Sequence, residues 1–93
     1  MILSFTCKET QGIWEGKASR KLPHDVQNRA FRKLRQLNAA RTLDDLREPP
    51  SNHLELLKGD RNGNMSLRIN KQWRLCFVWD GGDALELKII DYH

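Results

Sequence analysis

Met65-Ser66-Leu67-Arg68-Ile69-Asn70, followed after Lys71-Gln72 by Trp73-Arg74-Leu75-Cys76-Phe77-Val78-Trp79, is the stretch that decides the fold. Leu67 and Ile69 alternate with Arg68 and Asn70, and Trp73, Leu75, Phe77 and Trp79 alternate with Arg74, Cys76 and Val78. A period of two residues belongs to a strand with distinct faces. Asp80-Gly81-Gly82-Asp83 is a hairpin signal, and Leu85, Leu87 and Ile89 then alternate with Glu86 and Lys88. The pattern predicts a three-stranded antiparallel meander.

Upstream the period changes. Pro49-Pro50 excludes helix and opens a connector through Ser51, Asn52 and His53. Before it, Val26, Ala30, Leu34 and Leu37, flanked by Phe31 and Ala40, make the apolar stripe of a helix from Pro23 to about Ala40, with Asp25 suited to its N-terminal dipole. Its opposite face carries Arg29, Arg32, Lys33 and Arg35, which reads first as a solvated helix face and second as a surface for nucleic acid or an acidic partner. Thr42 and Asp45 make a loose capping box for a further helical turn. Lys8 to Glu15, stopped by Gly16, is a short helix anchored by Trp14, and Ile2 to Phe5 is a strand that must pair with something later in the chain. Helices first and strands later predict one α+β domain over residues 1–93, with the helices on one sheet face and the other face free. On that free face Arg68 and Arg74 are expected together, as two guanidinium groups able to hold phosphate.

The chain has 93 residues, 16 Lys and Arg against 12 Asp and Glu, a formal net charge of +4 and a pI near 9.4. That balance favours a polyanionic partner, but only the placement of the charges decides it. Cys7 and Cys76 lie far apart without CxxC spacing, so neither a zinc site nor a disulfide framework is indicated, and both are expected to be buried and reduced. His24, His53 and His93 have no metal-ligand spacing, and no stretch has the length and apolarity of a membrane span. A cytoplasmic protein without metal or cofactor is expected. Lys58-Gly59-Asp60-Arg61-Asn62-Gly63 lacks the GxxxxGK[ST] spacing, and no strand is predicted to lead into it, so it is not a nucleotide-binding loop.

Cleaving RNA without metal needs a base for the ribose 2′-OH, an acid for the departing 5′-oxygen and cations around the phosphorane-like transition state. His93 is the natural acid or base, Asp91 its orienting partner or itself a base, and Tyr92 a hydrogen-bond donor or stacking platform. Arg68, Arg74 and Lys58 supply charge, with Asn70, Lys71 and Arg61 as further substrate contacts. A polar Asp-Tyr-His tail is unremarkable alone; here it continues a patterned strand with no spacer. Strict alternation sets Tyr92 on the arginine face and Asp91 and His93 in phase with Leu85, Leu87 and Ile89, so a bulge is required if all three act together.

Leu57-Lys58-Gly59-Asp60-Arg61, Ser66-Leu67-Arg68-Ile69-Asn70, Gln72-Trp73-Arg74-Leu75-Cys76-Phe77 and the final Asp91-Tyr92-His93, in the order short strand, two helices, three strands, resemble the HigB toxins of the RelE family. The resemblance implies a RelE-like fold and a toxin of a type II toxin-antitoxin pair that cleaves messenger RNA in the A site of the 70S ribosome. It implies neutralisation by a HigA-like helix-turn-helix antitoxin, with operator DNA met only through that complex. It also implies that Lys58 and Arg74 stabilise the scissile phosphate with help from Arg68, that Asp91 and His93 move protons, and that Tyr92 positions the RNA. Some family members carry a histidine three residues before the lysine; this chain has Glu55 there, a substitute base, with His53 nearby but out of register. Two other functions fit the fold: a ParE-like inhibitor of DNA gyrase that cuts nothing, and a passive RNA-binding module.

Overall fold

The computed structural model describes residues 1–56 and 64–91. Helix α1 (Lys8–Trp14) and helix α2 (His24–Ala39) precede strands β1 (Glu55–Leu56), β2 (Asn64–Arg68), β3 (Trp73–Asp80) and β4 (Asp83–Asp91). The strands form one antiparallel sheet in the order β1-β2-β3-β4. Gly16, at φ 86°, ends α1, and Pro23 is the N-cap of α2. Trp14 packs edge-on against Phe31, with ring centroids 6.0 Å apart, and so ties α1 to α2. The expected stripe Val26, Ala30, Leu34 and Leu37 is buried against Leu67, Leu75, Phe77, Ala84 and Leu87 in one core.

The helix-to-sheet connector is held by side chains. Asp45 accepts backbone N–H bonds from Arg41 and Thr42 at 2.9 and 3.1 Å and fixes the 3-10 turn Leu43–Arg47. These two bonds hold its carboxyl below the ordinary carboxylate range. Asn52, fully buried, donates to Gln36 Oε1, Leu46 O and Glu48 O at 3.0 to 3.2 Å and accepts from Lys33 Nζ. Every polar atom of that amide is used, which makes its burial tolerable.

Four expectations are corrected. First, Glu55–Leu56 is a strand paired with β2, so a strand does lead into residues 57–63; two residues are too few to show a period. Second, Ile2 and Phe5 make isolated parallel bridges to Ala84 and Leu87 and not a regular strand. The third correction concerns the phase of β4. Cys76 pairs with Lys88 and Val78 with Leu85, so Phe77 faces two β4 residues, Glu86 and Leu87, with Glu86 at φ 54°. This bulge puts Leu85 opposite Val78 on the arginine side, while Ala84, Leu87 and Ile89 face the helices. Fourth, Cys76 is buried but Cys7 is only half-buried; both are free thiols.

The two meander turns are built differently. Asp80 pairs with Asp83 across Gly81-Gly82, whose φ values of 57° and 95° suit a tight hairpin that a side chain would strain. Between β2 and β3, Asn70 Oδ1 accepts the backbone N–H groups of Gln72 and Trp73, both at 2.8 Å. This is an Asx turn.

Candidate functional site

Arg68 and Arg74 are directly opposite on β2 and β3, as the alternation predicts, and Ile90 of β4 completes the row. Paired like charges are unfavourable unless each has partners. The face they occupy is not free. Arg74 is 7% exposed, donating from Nε to Ser66 Oγ at 2.8 Å and from Nη2 to the His53 carbonyl at 2.5 Å, with Glu55 Oε2 at 3.8 Å. Ser66 and Cys76, one row along, are also buried. Burial pushes the Cys76 thiol up despite the Lys88 and Arg74 charges. Thus Arg74 fastens the connector to the sheet as well as carrying charge. Arg68 is half-buried; Nε donates to Asn70 O at 3.2 Å and Nη1 lies 3.3 Å from His53 Nε2.

Sequence reading missed the feature beside this row. A cleft of about 680 Å³ opens between α2 and the β2–β3 turn, lined by Arg29, Arg32, Lys33, Arg68 and Lys71 together with Ser51, Ile69, Asn70 and Gln72. Among the described residues, five cations and no carboxylate line it. Such a concave, one-signed surface concentrates polyanions. Burial, and secondly the charge of Arg29, lower the Lys33 pKa. The helix positions at 29, 32 and 33 belong to the face read first as solvated; only the fold brings residue 71 to them. Arg35, the remaining cation of that face, does not line the cleft.

Asp91 ends β4 opposite Trp73, in phase with Ile89 as expected, and accepts from Gln72 Nε2 at 3.1 Å. Gln72 therefore touches both the cleft and the carboxylate. The register from Ile89 to Asp91 is regular, so the one bulge in the β3–β4 ladder lies upstream and does not bring Asp91 onto the arginine side. Glu55 is opposite Ser66, two residues along from the row of Arg68 and Arg74, and so on their face. Lys58, Arg61, Tyr92 and His93 lie outside the described residues. Lys71 is exposed at the turn, and Asn70 contributes its side-chain oxygen to that turn. Among the described residues no group of three His, Cys, Asp or Glu is placed to hold a metal ion, and no helix is long and apolar enough to cross a membrane.

Comparison with known proteins gives a consistent set. Residues 4–93 match the family described as the RelE-like toxin of the type II toxin-antitoxin system HigB. Toxin HigB-1 of Vibrio cholerae serotype O1 is 44% identical over 86 residues, covering 91% of this chain and 90% of that protein. Endoribonuclease HigB of Proteus vulgaris is 31% identical over 93 residues, the whole of both chains. An uncharacterized protein of Haemophilus influenzae is 38% identical over 72 residues, covering 77% of this chain and 71% of its own length.

Proposed function

Because the chain belongs to the family of RelE-like HigB toxins of type II toxin-antitoxin systems, we propose that it is a cytoplasmic, single-domain endoribonuclease that cleaves messenger RNA in the ribosomal A site without metal. The observation that carries this reading is the cleft of five cations joined through Gln72 to Asp91 at the end of β4. Phosphates of RNA fill such a cleft while a carboxylate at its margin faces the ribose. A pure binder has use for the cations but not for the acid.

The chemistry is transesterification. The 2′-oxygen gives its proton to a base, the O2′–P bond forms and the P–O5′ bond breaks. The products are a 2′,3′-cyclic phosphate and a 5′-oxygen that takes a proton from an acid. Arg68, Lys71 and Lys58 neutralise the charge that grows on the phosphoryl oxygens, and Arg74 adds its field from a fixed, buried position. Asp91 and His93 move protons, Tyr92 stacks on a base, Glu55 is a further proton acceptor, and Asn70 and Arg61 border the RNA. A HigA-like antitoxin is the neutralising partner.

The test is to add the protein to a translating extract and map new 5′ ends on the messenger, for wild type, Arg68→Ala and His93→Ala. Cuts within codons that weaken at least tenfold in both variants, and that persist in a chelator that leaves translation running long enough to be scored, bear the proposal out. Undiminished cutting by both variants overturns the residue roles. DNA breaks in place of messenger cuts indicate gyrase as the target.

A further inference from the structure

His53 is gripped from two sides. Its backbone lies in the left-handed region at φ 43° and ψ 58°, rare for a residue with a side chain, and its N–H donates to Pro50 O at 3.1 Å. Buried Arg74 holds its carbonyl at 2.5 Å, and Asn52, the preceding residue, is locked into the core by its full set of bonds. The imidazole itself is exposed, with Nε2 3.3 Å from Arg68 Nη1. A guanidinium has donors and no acceptor, so in a hydrogen bond between the two Nε2 is the acceptor, through its lone pair. Strain of this kind persists only where the surroundings over-determine it. Here the buried arginine and the buried asparagine do so, and the result is an exposed imidazole held at a fixed place beside an arginine that lines the cationic cleft.

On the RNA-cleaving reading above, we propose that His53 is a catalytic residue of this toxin, the general base that takes the proton from the ribose 2′-OH. When a phosphate enters, Arg68 turns from Nε2 to the phosphoryl oxygens. That one movement supplies the phosphate with its cation and releases the lone pair of Nε2 to accept the 2′-proton. O2′ then attacks phosphorus, the P–O5′ bond breaks, and the imidazolium so formed remains beside the developing negative charge. Glu55 suits the role less well, because its carboxylate is 3.8 Å from Arg74 Nη2 and is occupied by that charge.

The experiment measures single-turnover cleavage of messenger on programmed ribosomes between pH 5 and 9 for wild type, His53→Asn, His53→Gly and Glu55→Gln. Asparagine and glycine both accept left-handed backbone, so neither disturbs the hold of Arg74 on the carbonyl. Expected are a fall of about 10²- to 10⁴-fold in both His53 variants, loss of the acid limb of the pH profile, unchanged ribosome affinity, and partial rescue of His53→Gly by added imidazole. Glu55→Gln should retain that acid limb. Cleavage by His53→Asn within threefold of wild type overturns the assignment. So does a slowed His53→Asn that keeps the wild-type pH profile, since that is the signature of a positioning role. Wild type leaving the messenger intact overturns the RNA-cleaving reading itself.

Discussion

On the helix side of the sheet, Leu67, Leu75, Phe77 and Leu87 share one core with Leu34 and Leu37 and are closed from water chiefly by apolar area. Thr10 Oγ1, which accepts the Ile89 N–H, is a buried polar group among them. On the arginine side, Arg74, Ser66 and Cys76 are as well buried, but there a guanidinium is held by a hydroxyl and a backbone carbonyl. The two sides fail differently. An apolar side loses stability in proportion to volume removed; a side closed by directed bonds loses it when one partner is left unsatisfied, and it holds its groups to defined positions meanwhile. Positions are what chemistry needs, so the arginine side and its margin carry the candidate site.

The comparison can be broken from the apolar side first. Leu34→Ala, at a fully buried position, is expected to destabilise by about 2–5 kcal/mol, read as a lower urea midpoint with unchanged slope. Arg74→Met keeps an unbranched chain of partly similar bulk but strands Ser66 Oγ and the His53 carbonyl. A loss of about 1–3 kcal/mol is expected. A variant as stable as wild type would mean that the arginine side is closed by area after all.

At the margin stability and binding should separate. Arg29→Ala with Arg32→Ala removes two exposed cleft cations and should leave the melting temperature nearly unchanged. Affinity for a 2′-deoxy-substituted, uncleavable RNA oligonucleotide should fall, and the slope of log affinity against log salt should flatten by about 0.7 per cation removed. An unchanged slope would take the α2 face out of the interface.

The smallest effect is at Asp45. Its folded pKa lies below the unfolded value, so the stability it contributes is present above the unfolded pKa and is lost as pH falls through the folded one. Asp45→Asn should therefore melt lower than wild type at neutral pH and approach it at the acid end, below pH 4. Parallel melting curves across that range would show the turn to be indifferent to the charge.

Long periods were legible in the sequence: the stripe of α2, the alternation of β2 and β3, and the Gly81-Gly82 hairpin are local patterns repeated often enough to survive noise. The opposition of Arg68 to Arg74 followed from alternation and one turn. The bulge was not legible, because Glu86 reads as one more solvent-facing position of an alternating strand and no glycine or asparagine marks its positive φ. Strand β1 was too short. The cleft joins residues 29–33 to 68–72, and no local pattern states that a helix face and a turn forty residues later will meet. The capture of the His53 carbonyl by Arg74 was equally hidden, since a backbone acceptor carries no residue identity.

The parallel edge formed by the N-terminal segment also bears on when the molecule comes into being. Leu3 and Thr6 donate to the carbonyls of Ala84 and Leu87, and Ser4 Oγ receives the N–H of Glu86. Residues 3–6 thus wait for residues 84–87 to be made, and a nascent chain has no such edge before β4 has emerged. That edge is therefore a late event in synthesis, and so is the part of the core that Ala84 and Leu87 fill.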